Sequence, residues 1–106
     1  MHVGFIVTRT TGEAGFETFL NLANIYVARD EITLYLIGNG VYCARKGHKS
    51  GLSPKIVENS RVKALLDDLT ARGIKEDQIL EGVKIMQGYH EMVHEIMEEL
   101  DQVLSF

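Results

Sequence analysis

Short apolar, β-branched runs alternating with stretches of helical periodicity limit this chain to very few architectures. HVGFIVT, residues 2 to 8, is almost wholly apolar, the pattern of a central strand buried on both faces. After the polar turn RTTG, Glu13 to Arg29 places Phe16, Phe19, Leu20, Ala23, Tyr26 and Val27 at helical spacing, which predicts an amphipathic helix covering the sheet. Thr10 or Thr11 is a candidate cap, and Glu13 suits the positive end of the helix dipole. ITLYLIG, residues 32 to 38, reads as a second strand, with Gly38 and Gly40 allowing a tight turn after it. Residues 45 to 55 read as loop, with Ser53 and Pro54 able to start a short helical turn. SRVKALL is a third strand, followed by a short helix DLTAR capped by Asp67 or Asp68 and ended by Gly73. GVKIM is a fourth strand and QVLSF a fifth. Between these two, Tyr89, Met92, Val93, Ile96, Met97 and Leu100 form one stripe, predicting a surface helix that lays all six against the sheet. Strands separated by helices imply a three-layer α/β/α sandwich around a mostly parallel five-stranded sheet with right-handed crossovers.

With 106 residues, one proline and 45% apolar residues, the chain is expected to form a single domain over residues 1–106. No stretch approaches the roughly 18–20 continuous apolar residues of a membrane helix, and the first residues lack a basic start and cleavage site. A lone cysteine, Cys43, suits a reducing compartment, so a cytoplasmic location without membrane contact is expected. The net charge of −4 argues against affinity built on phosphate neutralisation, so no direct nucleic-acid binding is expected. Charge is unevenly spread. Arg45, Lys46, His48, Lys49 and Lys55 lie close together, while the last third is rich in Glu and Asp. The plain reading is two solvated surfaces; the sharper one is a basic loop that guides an acidic partner or an anionic substrate.

In sheets of this kind ligands sit beyond the carboxyl ends of the strands. RTTGE, NGVYCARKG and LLDDLTARG converge there. Cys43 fits two descriptions: a buried packing residue, or a thiol made reactive by Arg45, Lys46 and His48. Arg9 and Thr10 sit in a turn able to hold an anion but more simply explained as an ordinary strand-to-helix connection. Asp67 and Asp68 are a possible acid/base pair, with helix capping the plainer role. Arg72 is expected to pair with a nearby carboxylate or carbonyl. HEMVH, residues 90 to 94, has the H-E-x-x-H spacing of a zinc hydrolase, with His90 and His94 as ligands and Glu91 as general base. That reading lacks a third ligand and a cleft, and leaves His90 and His94 as a weak surface metal candidate. No cofactor is expected.

IGNGVYCA and RVKALLDDLTARGI carry a family resemblance: an apolar strand ending in Asn-Gly-Val, and a strand, an acidic pair, then Leu-x-Ala-Arg-Gly. On these motifs the chain resembles the DsrE/DsrF/DsrH superfamily of small sulfur-relay proteins, which includes the TusB, TusC and TusD subunits. The second motif looks most like DsrH/TusB, and the C-terminal part more like DsrE. The resemblance implies a flavodoxin-like subunit that forms homo-oligomers (dimer, trimer or hexamer) or hetero-oligomers with related sulfur-relay subunits. The candidate binding or supporting positions are Arg9, Thr10, Asn39, Gly40, Tyr42, Arg45, Lys46, His48, Asp68 and Arg72. Where the carrier branch holds its persulfide cysteine at the end of the third strand, this chain has Leu65. The expected role is therefore a structural or partner-binding member of a persulfide-transfer system, more a non-catalytic subunit than an enzyme in the usual sense. The alternative is a sulfur carrier that uses Cys43, taking up and passing on sulfur by thiolate attack.

Overall fold

Each apolar run becomes a strand, and each helical stretch returns the chain to the same edge of the sheet. A computed structural model describes residues 1–10, 12–47 and 52–106. Five strands form one sheet: β1 (His2–Val7), β2 (Glu31–Leu36), β3 (Arg61–Leu65), β4 (Val83–Met86) and β5 (Gln102–Ser105). Their order is β4-β3-β2-β1-β5, and all four neighbouring pairs are parallel, so the sheet is more uniform than the mostly parallel one expected. The helices are α1 (Phe16–Val27), α2 (Pro54–Glu58), α3 (Leu66–Ala71) and α4 (His90–Glu98), with a 3-10 turn at Gly38–Ala44 and another at Glu76–Gln78.

Side chains alternate across the strands, as the two-residue period requires. Val3, Phe5, Val7, Ile32, Leu34, Leu36, Val62 and Ala64 face one side, where they pack with Phe16, Phe19 and Ala23 of α1 and Ile56 of α2. The buried side chains described on that face are apolar, and Phe5 makes ring contacts with Phe19, Tyr26 and Phe106. On the other face Tyr35, Leu65 and Met86 pack with Met92, Ile96 and Leu100 in and after α4. Helical elements on both faces make this the three-layer sandwich read from the sequence.

Three local expectations are corrected. Thr10 does not cap α1, and Thr11 lies outside the described residues; the helix starts from Gly15, at φ 88 and with no side-chain cap. A left-handed residue there is cheap only for glycine. Asp67 and Asp68 do not precede α3 but lie in its first turn, because the helix leaves β3 directly from Leu65; there they favour the positive end of the dipole. The α4 stripe divides, with Met92 buried while Tyr89, Val93 and Met97 are 51%, 47% and 75% exposed. Ser53 does cap α2, accepting a hydrogen bond from Ile56 N at 3.4 Å.

Candidate functional site at the carboxyl edge of the sheet

The three segments expected to converge beyond the strand ends do so, joined by one polar network. Its centre is Arg72, just after α3. The Nε and Nη2 of Arg72 donate to Asn39 Oδ1 at 3.2 and 3.0 Å, and Nη1 donates to the Asp68 carbonyl at 3.2 Å. The same Nη1 lies 3.5 Å from the Asp68 carboxylate, one helical turn back, and the guanidinium sits 6.0 Å from the Tyr42 ring centroid. Asp68 Oδ2 accepts from Gly38 N at 2.8 Å, and Asn39 Nδ2 donates to Glu13 at 3.0 Å. The loop after β1, the 3-10 turn after β2 and the helix after β3 are thus fastened together. All three guanidinium nitrogens have partners, as expected of Arg72, and this arrangement locks the rim instead of presenting Arg72 to a ligand.

Gly40 explains why the 3-10 turn lies so close to β1. A Cβ there would fall 1.9 Å from the Val7 carbonyl oxygen, so only glycine fits. The turn buries Val41, Cys43 and Ala44 in the apolar face. Cys43 is 0% exposed, and its thiol donates to the Arg9 carbonyl at 3.8 Å. Burial, with a smaller contribution from the charge of Glu13, pushes this thiol up to about 12. Arg9 turns its guanidinium to the Ala14 carbonyl, and the Thr10 carbonyl accepts from Glu13 N at 3.0 Å, closing an ordinary turn. Arg45 and Lys46 run alongside residues 78–80: Arg45 bridges Ile79, and Lys46 N donates to Gln78 O at 2.7 Å. His48 lies outside the described residues, as do Lys49, Ser50 and Gly51.

A second polar cluster, beneath α4, was not foreseen. Lys63, 7% exposed on β3, donates to Glu95 at 2.6 Å and Glu91 at 2.8 Å, and the buried Tyr35 hydroxyl donates to Glu95 at 2.6 Å. Burial works against the Lys63 charge, but its two carboxylate partners prevail and hold the ammonium above its usual value. Burial likewise disfavours the Glu95 carboxylate, yet hydrogen bonds from Lys63 and Tyr35 hold it below the usual range. The Tyr35 phenol is pushed well up, first by burial and then by Glu95. The sequence signals were a lysine inside an apolar strand and a glutamate between Met92 and Ile96 on the buried arc of the helix. Glu91, the would-be base of the zinc motif, is engaged by Lys63, and His90 and His94 are exposed. Among the described residues no group of three or more His, Cys, Asp or Glu side chains is placed to hold a metal ion.

A groove of about 750 Å³ runs along β4 between Leu69, Ile74, Ile79 and Ile85 and includes none of the site residues read from the sequence. No described helix is long and apolar enough to cross a membrane.

Comparison with known proteins agrees with this architecture. The YchN protein of E. coli superposes with a TM-score of 0.68 at 22% identity, covering 99% of this chain and 97% of its own. MTH1491 of Methanobacterium thermoautotrophicum, a protein of unknown function, gives 0.71 at 22% identity, covering 99% and 98%. The uncharacterized protein MJ0989 of Methanocaldococcus jannaschii is 30% identical over 84 residues, 72% of either chain. A family model described as DsrH like protein matches residues 15–102, from the start of α1 to the start of β5, and the chain accordingly belongs to the DsrH-like family.

Proposed function

We propose that this DsrH-like chain serves a cytoplasmic sulfur-relay system as a structural or partner-binding subunit that carries no persulfide itself. The burial of Cys43 carries the reading. A carrier must present an accessible thiolate near neutral pH, whereas this thiol is fully buried in an apolar face and displaced to about 12. Leu65, where the resemblance puts the carrier cysteine, is buried and has no sulfur to offer. The locked rim of Glu13, Asn39, Asp68 and Arg72 fits a preformed contact surface better than a reaction centre, and related sulfur-relay subunits are its natural partners. Assembly with copies of itself belongs to the same reading.

The test is the intact mass of the native protein after exposure to a persulfide donor, with and without thiol alkylation, beside Cys43→Ala. Expected are no added sulfur and no alkylation until denaturant is present. A gain of one sulfur atom by the native protein, removed by reductant and absent from Cys43→Ala, would overturn the proposal and make Cys43 the carrier.

A further inference from the structure

The apolar arc of α4 is wider than the sheet beneath it. Met92 and Ile96 face inward, but Tyr89, Val93 and Met97, spaced four residues apart, form a second row running about 12 Å along the helix. Tyr89, Val93 and Met97 are three of the five exposed large hydrophobic residues among those described, so exposed apolar surface is concentrated on this one helix. His90 and His94 border the row on its solvent side.

The charges around it constrain what can cover it. Lys63 pairs with Glu91 and Glu95, but Glu98 and Glu99 at the end of α4 have no basic residue in the last turn beside them, and Asp101 follows. Negative side chains at the negative end of a helix dipole are unfavourable. Because α4 carries no Lys or Arg, pairing it with the α4 of a second copy in either orientation brings Glu98 and Glu99 no such cation, whereas a partner with cations at that end would relieve them.

We propose that the outer row of α4, Tyr89, Val93 and Met97, is the docking surface for an amphipathic helix of a different chain whose apolar row is edged by Lys or Arg facing Glu98 and Glu99. This rests on the partner-binding reading above and adds to it the face and the chemistry of the partner.

The probe is a synthetic Leu/Lys amphipathic peptide of about 18 residues, titrated into the full chain and followed by backbone amide shifts. Two controls accompany it: one peptide with Glu in place of Lys, and one with Ala in place of Leu. The Leu/Lys peptide is expected to shift α4 amides and bind more weakly as salt rises. Val93→Ser with Met97→Ser, both surface changes, weakens it at least about tenfold. Glu98→Gln with Glu99→Gln weakens it several-fold and flattens the salt dependence. The proposal is overturned if the shifts fall elsewhere, if the serine variants bind as well as the parent, or if either control peptide binds equally. It is equally overturned if the chain alone dimerises in sedimentation and the serine variants return it to a monomer. Sulfur uptake at Cys43 is a separate readout, so failure here is distinguishable from failure of the non-carrier reading.

Discussion

Replacing Lys63 by methionine would remove one charge from beneath α4 while preserving most of the side-chain volume. It leaves Glu95, 9% exposed, with only the Tyr35 hydroxyl, while Glu91, already half exposed, can turn to water. Breaking a buried pair from one side costs about 3–5 kcal/mol; the surviving Tyr35 bond places this case near the lower limit, about 3 kcal/mol. For a domain of this size that is a fall in Tm of roughly 12–20 °C. The deficit has a defined pH dependence. In the parent, Glu95 is held below its usual range, so its contribution is complete above the unfolded glutamate value of about 4.3 and is lost as pH falls through the folded value. Without Lys63 burial dominates and Glu95 prefers its proton, so the Lys63→Met deficit shrinks as the solution is acidified toward about pH 4. Adding Glu95→Gln removes the stranded charge and should restore more than half of the loss at pH 7. Urea unfolding followed by circular dichroism at both pH values measures all of this. A Lys63→Met protein within about 1 kcal/mol of the parent at pH 7, or a double variant no better than the single one, would refute the reasoning.

Gly40→Ala would drive a methyl into the Val7 carbonyl, costing about 3 kcal/mol or more in denaturant unfolding, and should make Cys43 alkylate faster because the 3-10 turn is displaced. Arg72→Ala should cost about 1–2 kcal/mol and shift the amide signals of Asn39 and Tyr42, with Arg72→Lys a poor rescue because a single ammonium cannot reproduce the guanidinium contacts. The raised Cys43 thiol adds stability that is fully present below the unfolded value near 9 and lost as pH climbs toward about 12. Between pH 9 and 10.5 the parent should therefore lose about 2 kcal/mol more than Cys43→Ala, read from parallel urea titrations.

The sheet was legible because its signals are local. Runs such as HVGFIVT and SRVKALL bury both faces, and a run of that composition has few other fates. The convergence of Asn39, Asp68 and Arg72 was legible as well, since parallel topology brings strand ends together wherever the side chains go. The division of the α4 stripe was not, because periodicity shows which residues share a face but not how much sheet lies beneath them. Hydropathy likewise sends a glutamate outward. Glu95 goes inward because Lys63, 32 residues earlier in the chain, waits there with Tyr35, and such pairing is a tertiary fact. The HEMVH motif, set aside in the sequence for want of a third ligand and a cleft, has its glutamate drawn toward Lys63 by the same kind of pairing.

These two clusters give the faces of the sheet different capacities. The face under α4 tolerates charge because every buried ionic group there has a partner, but its groups are locked to one another. The opposite face holds the thiol and, among the described residues, no buried charge to compensate it. Forming a thiolate in place, about three pKa units above its ordinary value, costs about 4 kcal/mol. Exposing the sulfur instead means withdrawing the 3-10 turn, which is held by the seat of Gly40 on Val7, by Leu52 N donating to Cys43 O at 3.0 Å and by Leu80 N donating to Ala44 O at 2.7 Å. Each route to a reactive Cys43 meets a barrier built from several independent contacts. On the proposed reading, a subunit organised this way would contribute by what it holds in position, through the fastened rim around Arg72 and the outer row of α4.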